Sequence, residues 1–243
     1  MAPKATKIKE KLYEGSTKIL YEGVEDFSLI QFFKDDFKLP SGEIIQISGK
    51  GSLNNKISAF IMESMDIAGI ENHFLEKINM REQLVQLLEV MPVQVCVSNV
   101  SAGRYVTQLG IEEGYVFDSP MIDFRLKYKE HPGSIINEHQ LVNFGWMVEE
   151  DVKQIKTDAM RINAFLTGLF AAVGIRLVEC HLEFGRVCDG EIFFFMLADE
   201  ITPDTCRLWD IESNARLDFE YISSNPNNAI EVYKEITKRF RIK

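Results

Sequence analysis

The chain has 243 residues, of which 46% are apolar and 26% charged, a composition typical of a globular protein with a substantial core. Its 27 basic and 37 acidic residues give a net charge of −10, which argues against a general nucleic-acid or anionic-membrane surface. No apolar stretch reaches the ~18 residues that a membrane span needs, and the N-terminus lacks the apolar core of a signal peptide. We therefore expect a cytoplasmic protein, in which a local cluster of cations and backbone N–H groups would bind any phosphate-bearing ligand.

Residues 11–20 predict two short strands joined by a turn that contains Gly15, with Lys18 entering the second strand. Such a turn can lay backbone N–H groups and one ammonium over phosphates. A purely structural turn at Gly15 is the simpler alternative.

The next elements predicted are a strand at 27–33, a helix at 54–65 with apolar residues at helical spacing, and a strand at 74–78. Residues 80–97 are ambiguous, since leucines near 84–88 fit a helix whereas 90–97 reads as a strand with Pro92 at an edge or hinge. We place a domain boundary there, dividing the chain into residues 1–91 and 92–243.

The second half mixes strands and helices. Arg104 lies between small-residue turns and could bind a ligand phosphate or pair with a surface acid. A strand is predicted at 122–127, a polar loop carrying His131 at 128–137, a long helix at 149–172 that stops near Gly174, and a closing amphipathic helix at 225–243. No internal repeat is present.

Residues 177–210 combine β-rich runs with carboxylates. A turn at Asp189-Gly190 predicts a hairpin, with Glu183 in one strand and Asp199 at the end of the next. A divalent cation would compensate the two carboxylates, although exposure to solvent is the simpler explanation. A two-residue turn at that place would not set Glu183 opposite Asp199, so a bulge or a longer loop would be needed.

The four cysteines show no Cys-x-x-Cys spacing and are expected to be reduced. They are Cys96, Cys180, Cys188 and Cys206.

Seven motifs occur in one order along the chain. They are LYEGSTK at 12–18, KGSLNNK at 50–56, MPVQVCVSNVSAGR at 91–104, LGIEEG at 109–114, FGW at 144–146, LVECHLEFG at 177–185 and ADEITPDTCRLWD at 198–210. Together they resemble the SAICAR synthetase family of purine biosynthesis over nearly the whole chain, and the last motif is the most specific.

The resemblance implies an α+β enzyme in which an ATP site lies between a strand-rich N-terminal part and a larger α+β C-terminal part. Members of the family join L-aspartate to carboxyaminoimidazole ribonucleotide: ATP phosphorylates the substrate carboxylate, and the aspartate amine then displaces phosphate. ATP and Mg²⁺ are therefore the implied cofactors, and the chain is a candidate homo-oligomer. Such chemistry needs cations around the phosphoryl group and fixed substrate geometry rather than a protein nucleophile.

The resemblance also assigns the nucleotide end of the site. Gly15 and Lys18 match the loop over the ATP phosphates, with Lys18 also counted as catalytic. Lys127 matches a nucleotide-contacting lysine, and Glu183 and Asp199 match the Mg²⁺ ligands.

The substrate end is assigned in the same way. Asp204 and Arg207 match residues that hold the ribonucleotide and count as catalytic, with Arg207 on the 5′-phosphate, where a guanidinium binds in bidentate fashion. Arg104, Glu179 and His181 occupy further substrate-binding positions.

The chain departs from the family pattern at several of these positions. It has Ser16 for a second lysine, Gln94 for Glu, Ser98 for Arg, Arg104 for a small hydroxyl residue, Glu179-Cys180-His181 for Asp-x-Lys, and altered sequence at 37–42 and 127–134. We expect Arg104 to restore the charge lost at Ser98 and protonated His181 to stand in for lysine. The reference histidine pKa of ~6.5 would make that protonation partial at neutral pH.

Three functions fit these observations. The first is a working SAICAR synthetase with an altered site, which would release ADP only with both substrates. The second is a non-catalytic or repurposed paralogue that keeps the fold and a nucleotide pocket, and the third is a different ATP-dependent amine ligase. Fold alone does not decide between them.

Overall fold

The structure, a computed structural model, describes residues 10–127, 133–189 and 192–242. The strands of this part are β1 (Lys11–Glu14), β2 (Lys18–Glu22), β3 (Ser28–Phe33), β4 (Asp36–Lys38), β5 (Ile44–Gln46), β6 (Phe74–Lys77), β7 (Glu82–Gln86), β8 (Glu89–Val100), β9 (Val116–Leu126), β10 (Ile135–Ile136), β11 (Ile175–Asp189), β12 (Ile192–Ala198) and β13 (Cys206–Asp210). The helices are α1 (Lys50–Ile67), α2 (Arg104–Thr107), α3 (Glu138–Asn143), α4 (Glu149–Ala171), α5 (Phe219–Ser224) and α6 (Ala229–Arg239), with a 3₁₀ turn at Pro226–Asn228. None of these helices is long and apolar enough to cross a membrane.

The strands form two larger antiparallel sheets. The first has the order β1-β2-β3-β7-β6, and α1 packs beside it. The second has the order β10-β9-β8-β11-β12, with β13 pairing with β11, and β4 and β5 form a separate two-stranded sheet. This is the α+β architecture with a strand-rich first part that the resemblance implies.

The core lies between the second sheet and α4. Alternate residues of the central strands, such as Val95 and Leu182, point to this side and are fully buried. They pack in one cluster with Ile155, Ile162 and Leu166 of α4. Because strand residues alternate between faces, the other face of the sheet is left for polar side chains.

Most predicted elements are confirmed within a few residues. The strands predicted at 27–33 and 74–78, the helix at 54–65 and the helix at 149–172 correspond to β3, β6, α1 and α4. Gly174 follows α4 with a φ of 74°. His131 and most of its loop lie outside the described residues.

The ambiguous stretch 80–97 forms two strands rather than a helix. β8 is a central strand, between β9 and β11, so of the two positions predicted for Pro92, an edge or a hinge, the edge is wrong. The pairing of β8 with β11 is irregular between Glu183 and Gly185, which lie opposite the part of β8 that contains Pro92. Proline is tolerated in an inner strand at such an irregularity because its missing N–H breaks no regular ladder. The chain passes between the two sheets at residues 87–88, and the boundary at 91 and 92 stays a prediction.

The prediction that Asp189 lies in the turn of the hairpin is wrong. Asp189 pairs with Ile192, so it belongs to the ladder. Gly190, the other predicted turn residue, lies outside the described residues.

Candidate functional site

On one face of the second sheet, polar side chains from four strands form rows that run across the sheet. Directly paired residues project to the same face, so the register defines the rows. The rows are Arg125–Gln94–Glu183, Asp123–Cys96–His181 and Ser98–Glu179–Arg207. We call this array the polar face; it contains four of the residues assigned by resemblance.

The two predicted metal ligands lie beside each other at one end of the polar face. Glu183 pairs with Ala198, and Asp199 is the residue directly after Ala198. Asp199 has a φ of 65°, in the left-handed region that an Asp tolerates better than most residues. This later register and the backbone turn resolve the mismatch expected from a turn at Asp189-Gly190.

Lysines hold both carboxylates. Lys127 forms an ion pair with Glu183, and Lys18 forms one with Asp199. The Lys18 ammonium also lies 2.9 Å from a carboxylate oxygen of Glu200, which is 2% exposed. Lys18 belongs to the first sheet and these carboxylates to the second, so this cluster joins the two sheets. Glu200 was not predicted, although it directly follows Asp199 in the most specific motif.

Gly15 and His73 shape the same end of the site. The N–H of Gly15 donates to the carbonyl of Lys18 at 2.9 Å, closing the turn between β1 and β2. The Nε2 of His73 lies 2.9 Å from the carbonyl oxygen of Asp199. Burial, followed by the charge of Lys18, lowers the pKa of His73 to about 3, so the ring is neutral and Nε2 donates this bond.

These residues fit a magnesium site. Mg²⁺ prefers oxygen ligands and is usually held by one or two carboxylates together with phosphate oxygens and water. Glu183 and Asp199 supply two carboxylates whose present partners are ammonium groups, which are themselves cations. No cluster of three or more His, Cys, Asp or Glu side chains disposed to hold a metal occurs in the described ranges, so the phosphates would have to complete the shell.

The middle of the polar face contains a charged pair. The Nε2 of His181 lies 2.6 Å from Oε1 of Glu179, and the hydroxyl of Ser98 donates to the other carboxylate oxygen at 2.9 Å. Glu179 is buried. Burial alone would lower the pKa of His181, but contacts with Cys96 and Glu179 outweigh it and raise the pKa to about 9. His181 is therefore protonated at neutral pH, rather than partly so as expected from its reference value.

The pKa of Glu179 moves in the opposite direction. Burial alone would raise it, but the bond to His181 and the charges of His181, Arg207 and Arg125 lower it to about 2. The pair is thus an ion pair over the whole neutral range. A lysine-like role for His181 requires this protonated state.

Arg104 lies at the rim of the polar face and is already paired. Its guanidinium contacts a carboxylate oxygen of Asp123 and stacks 4.4 Å from the ring centre of Tyr105. The Tyr105 hydroxyl donates to the same oxygen at 2.9 Å. Asp123 therefore compensates the charge that Arg104 was expected to supply in place of the arginine missing at Ser98.

Arg207 is a buried cation on the polar face. Its guanidinium pairs with Glu220 and lies 5.0 Å from the ring centre of Phe219. It is 5% exposed, and its Nε has no hydrogen-bond acceptor among the described residues. Gly103 passes so close that a Cβ there would lie 2.9 Å from the guanidinium. A glycine at this position leaves room for the arginine and for a ligand beside it.

Asp204 faces a different set of partners. One carboxylate oxygen lies 2.5 Å from the Nζ of Lys50 and accepts from the Asn54 amide at 2.8 Å. The other accepts from the Tyr233 hydroxyl at 2.5 Å. Lys50 is 1% exposed. Asp204 thus binds α1 and α6 to the segment before β13, and the structure does not bring it into contact with Glu179 or His181.

Several site residues escaped the sequence analysis: His73, Glu200, Lys50, Asp123 and Arg125. Asp123 and Arg125 had a usable signal, because they alternate with the apolar Phe124 and Leu126 in a predicted strand. Lys50 had one too, since it is the first residue of the KGSLNNK motif. His73 had none, because its partner is about 126 positions away in the chain.

Comparisons with known proteins give consistent matches over nearly the full chain. A family model described as SAICAR synthetase matches residues 11–240. A phosphoribosylaminoimidazole-succinocarboxamide synthase of Rickettsia felis is 56% identical over 236 residues, covering 97% of this chain and 100% of the relative. The crystal structure of a protein of the same name from Ehrlichia chaffeensis has a TM-score of 0.92 at 38% identity, covering 96% of this chain and 99% of that one. A SAICAR synthetase solved in complex with ADP has a TM-score of 0.88 at 34% identity, covering 94% and 96%.

Proposed function

The chain belongs to the SAICAR synthetase family, and we propose that it joins L-aspartate to carboxyaminoimidazole ribonucleotide in de novo purine biosynthesis. The products are SAICAR, ADP and phosphate. The observation that carries the proposal is the polar face, where carboxylates held by Lys18 and Lys127 lie at one end and a protonated histidine and a buried arginine lie further along.

The nucleotide end supplies charge for phosphoryl transfer. Gly15 and Lys18 would cover the ATP phosphates and Lys127 would contact the nucleotide, while Glu183 and Asp199 would hold Mg²⁺. When bound, Mg²⁺ neutralises phosphate charge and orients the γ-phosphate. Both carboxylates now bind ammonium groups, so nucleotide binding would release Lys18 and Lys127 toward the phosphates. A substrate carboxylate oxygen then attacks the γ-phosphorus and the bond to ADP breaks.

The substrate end positions the ribonucleotide. Arg207 takes the 5′-phosphate, and Glu179 and His181 bind polar groups of the substrate. The aspartate amine attacks the acyl phosphate, the carbon–oxygen bond to phosphate breaks, and the amine loses a proton. Holding both reactants in place supplies most of the rate, since bringing them together is worth up to about 7–11 kcal/mol.

The proposal includes four further statements. The chain acts in the cytoplasm, and it is divided into two domains, residues 1–91 and 92–243. Asp204 supports the ribonucleotide site, and Arg104 lies at the rim of the substrate site. The homo-oligomer suggested by resemblance is tested by the mass of the purified protein in solution.

The direct test measures ADP release with each substrate omitted in turn. The proposal requires release that depends on both L-aspartate and the ribonucleotide. Glu183→Gln and Asp199→Asn should each lower kcat by at least tenfold and weaken Mg²⁺-dependent binding of ADP in calorimetry. Glu89→Gln, which removes an exposed carboxylate of the same sheet, serves as the matched control.

The other two functions give different results in the same assay. Binding of nucleotide without turnover would support a non-catalytic paralogue. Release that requires a different amine would support another ATP-dependent ligase. Absence of binding by ATP with Mg²⁺ would contradict all three.

A further inference from the structure

We propose that Arg125 is a substrate-binding residue whose guanidinium takes a carboxylate of a substrate at the nucleotide end of the polar face. No motif match assigns this residue. The inference rests on the proposed function, because it names a contact within that site.

The register places Arg125 on the polar face. It pairs with Gln94 of β8, and Gln94 pairs with Glu183 of β11, so Arg125 shares a row with a predicted metal ligand. Its neighbours Phe124 and Leu126 point to the opposite face and are buried in the core. Because side chains alternate between the two faces of a strand, Arg125 projects from the polar face.

Arg125 is unusual because its side chain has no hydrogen-bonded carboxylate among the described residues. Around it, Lys127 pairs with Glu183, Arg104 with Asp123, His181 with Glu179 and Arg207 with Glu220. These cations of the polar face are thus compensated by carboxylates. The side chain of Arg125 forms no hydrogen bond or ion pair within 10–127, 133–189 and 192–242.

The guanidinium is also partly removed from water. Its Nε is buried without a hydrogen-bond acceptor in the described part of the chain. Leaving a buried donor without an acceptor is unfavourable, so a site that keeps one is expected to receive the acceptor from a ligand. The charge of Arg125 also reaches Glu179 and, after His181 and Arg207, helps to lower the pKa of that carboxyl, so the guanidinium acts on the polar face.

The position selects the kind of anion. Arg207 lies in the row of Glu179, at the end assigned to the ribonucleotide phosphate, whereas Arg125 lies in the row of Glu183, at the end assigned to the metal and nucleotide. The group that must approach the γ-phosphate is a carboxylate, and a planar guanidinium matches a carboxylate with two parallel hydrogen bonds. Arg125 can therefore supply the charge missing at Ser98, which Arg104 cannot do while Asp123 neutralises it.

Two substrates carry such a group, the ribonucleotide and L-aspartate. The experiment compares Arg125→Gln and Arg125→Lys with the native protein, measuring KM for ATP, ribonucleotide and L-aspartate, and direct binding of each by calorimetry. Arg186→Gln is the matched control, since it removes a guanidinium of the same sheet that bonds Glu89 at an exposed place.

We expect Arg125→Gln to raise KM for one carboxylate substrate by about 10- to 100-fold, as for a lost charged hydrogen bond, with KM for ATP within about threefold of native. The substrate whose KM changes identifies the source of the carboxylate. Arg125→Lys should recover part of the loss, because it restores the charge but not the two-bond geometry. Arg186→Gln should change neither.

The proposal is overturned if both variants bind both substrates as the native protein does. A lower melting temperature of Arg125→Gln with equal loss of all three ligands would indicate a merely structural role and would also overturn it. If the native protein shows no turnover but Arg125→Gln loses binding of one substrate, the proposed function is wrong and the contact between Arg125 and that substrate is supported. If the native protein binds neither carboxylate substrate, both fail.

Discussion

Contacts with Cys96 and with Glu179 raise the pKa of His181 to about 9, and replacing Glu179 with glutamine should lower that pKa by removing the second of them. The substitution keeps the shape of the side chain and removes the charge that lies 2.6 Å from Nε2. His181 remains buried, and burial disfavours the charged form of a histidine. The variant should therefore release the ring proton at a lower pH than the native protein does.

The magnitude follows from the two pKa values. A rise from 6.5 to about 9 corresponds to about 3 kcal/mol in favour of the charged ring. The lowering of the Glu179 pKa from 4.5 to about 2 describes the same interaction from the other side, so the two energies are not added. Cys96 also contacts the ring and raises the pKa of His181, so Cys96→Ala should lower that pKa as well.

The pair also sets a pH window for stability. The folded-state pKa of His181 is raised, so its contribution is fully present below pH 6.5 and is lost as pH rises through about 9. The folded-state pKa of Glu179 is lowered, so its contribution is present above pH 4.5 and is lost as pH falls through about 2. Native protein should lose stability toward pH 9, and Glu179→Gln should lose much less over that range.

Nitrogen-15 NMR of the imidazole rings measures this directly. His73, with a pKa of about 3, is an internal reference that stays neutral across the titration. Glu183→Gln is the matched control, because it removes a carboxylate from the same face of β11 that pairs with Lys127 instead. A native His181 that titrates near 6.5, or one that still titrates near 9 in Glu179→Gln, would refute the reasoning.

The remaining predictions concern stability, measured by denaturant unfolding. Lys50→Met should lower the free energy of unfolding by about 3–5 kcal/mol, because it leaves Asp204 as a buried carboxylate without its cation. Combining it with Asp204→Leu should recover much of this loss. Equal losses in the single and double variants would contradict the prediction. Gly185→Ala should destabilise by about 1–3 kcal/mol, since its Cβ would lie 2.5 Å from the Cβ of Leu88. Gly168→Ala, in α4 with open space around it, should instead stabilise by about 0.5–1 kcal/mol, and a loss there would show that the clash argument is incomplete.

The helices and most strands were predictable because their signals are local. Apolar residues at helical spacing predicted α4 to within one residue at its C-terminal end, and β-branched and aromatic runs located β3 and β11. Residues 80–97 failed this treatment, because Leu84 of β7 and the two leucines between β7 and β8 imitate helical spacing. Pro92 was misplaced for a related reason: its tolerance depends on the irregular pairing of the neighbouring strand, which the sequence does not show.

The site was predictable as a set of positions but not as a set of interactions. The order of motifs identified Glu179, His181 and Glu183, and their spacing of two alone places them on one face of a strand. Which cation meets which carboxylate could not be predicted, since Lys18 reaches Asp199 from another sheet across 181 positions of chain. The protonation of His181 likewise depends on burial and on a carboxylate at hydrogen-bond distance, so the reference pKa gave the wrong charge state.

The sequence by itself determined the family, the α+β class and the alternation that exposes one polar face of a sheet, because composition, motifs and periodicity are properties of neighbouring residues. Only the tertiary structure decided which charges are compensated. It placed Asp204 between Lys50 and Tyr233, paired Arg104 with Asp123, and left the Nε of Arg125 without a hydrogen-bond acceptor in the described chain. Electrostatic energies depend on distances and burial in the folded state, and these are set by contacts between segments far apart in the chain.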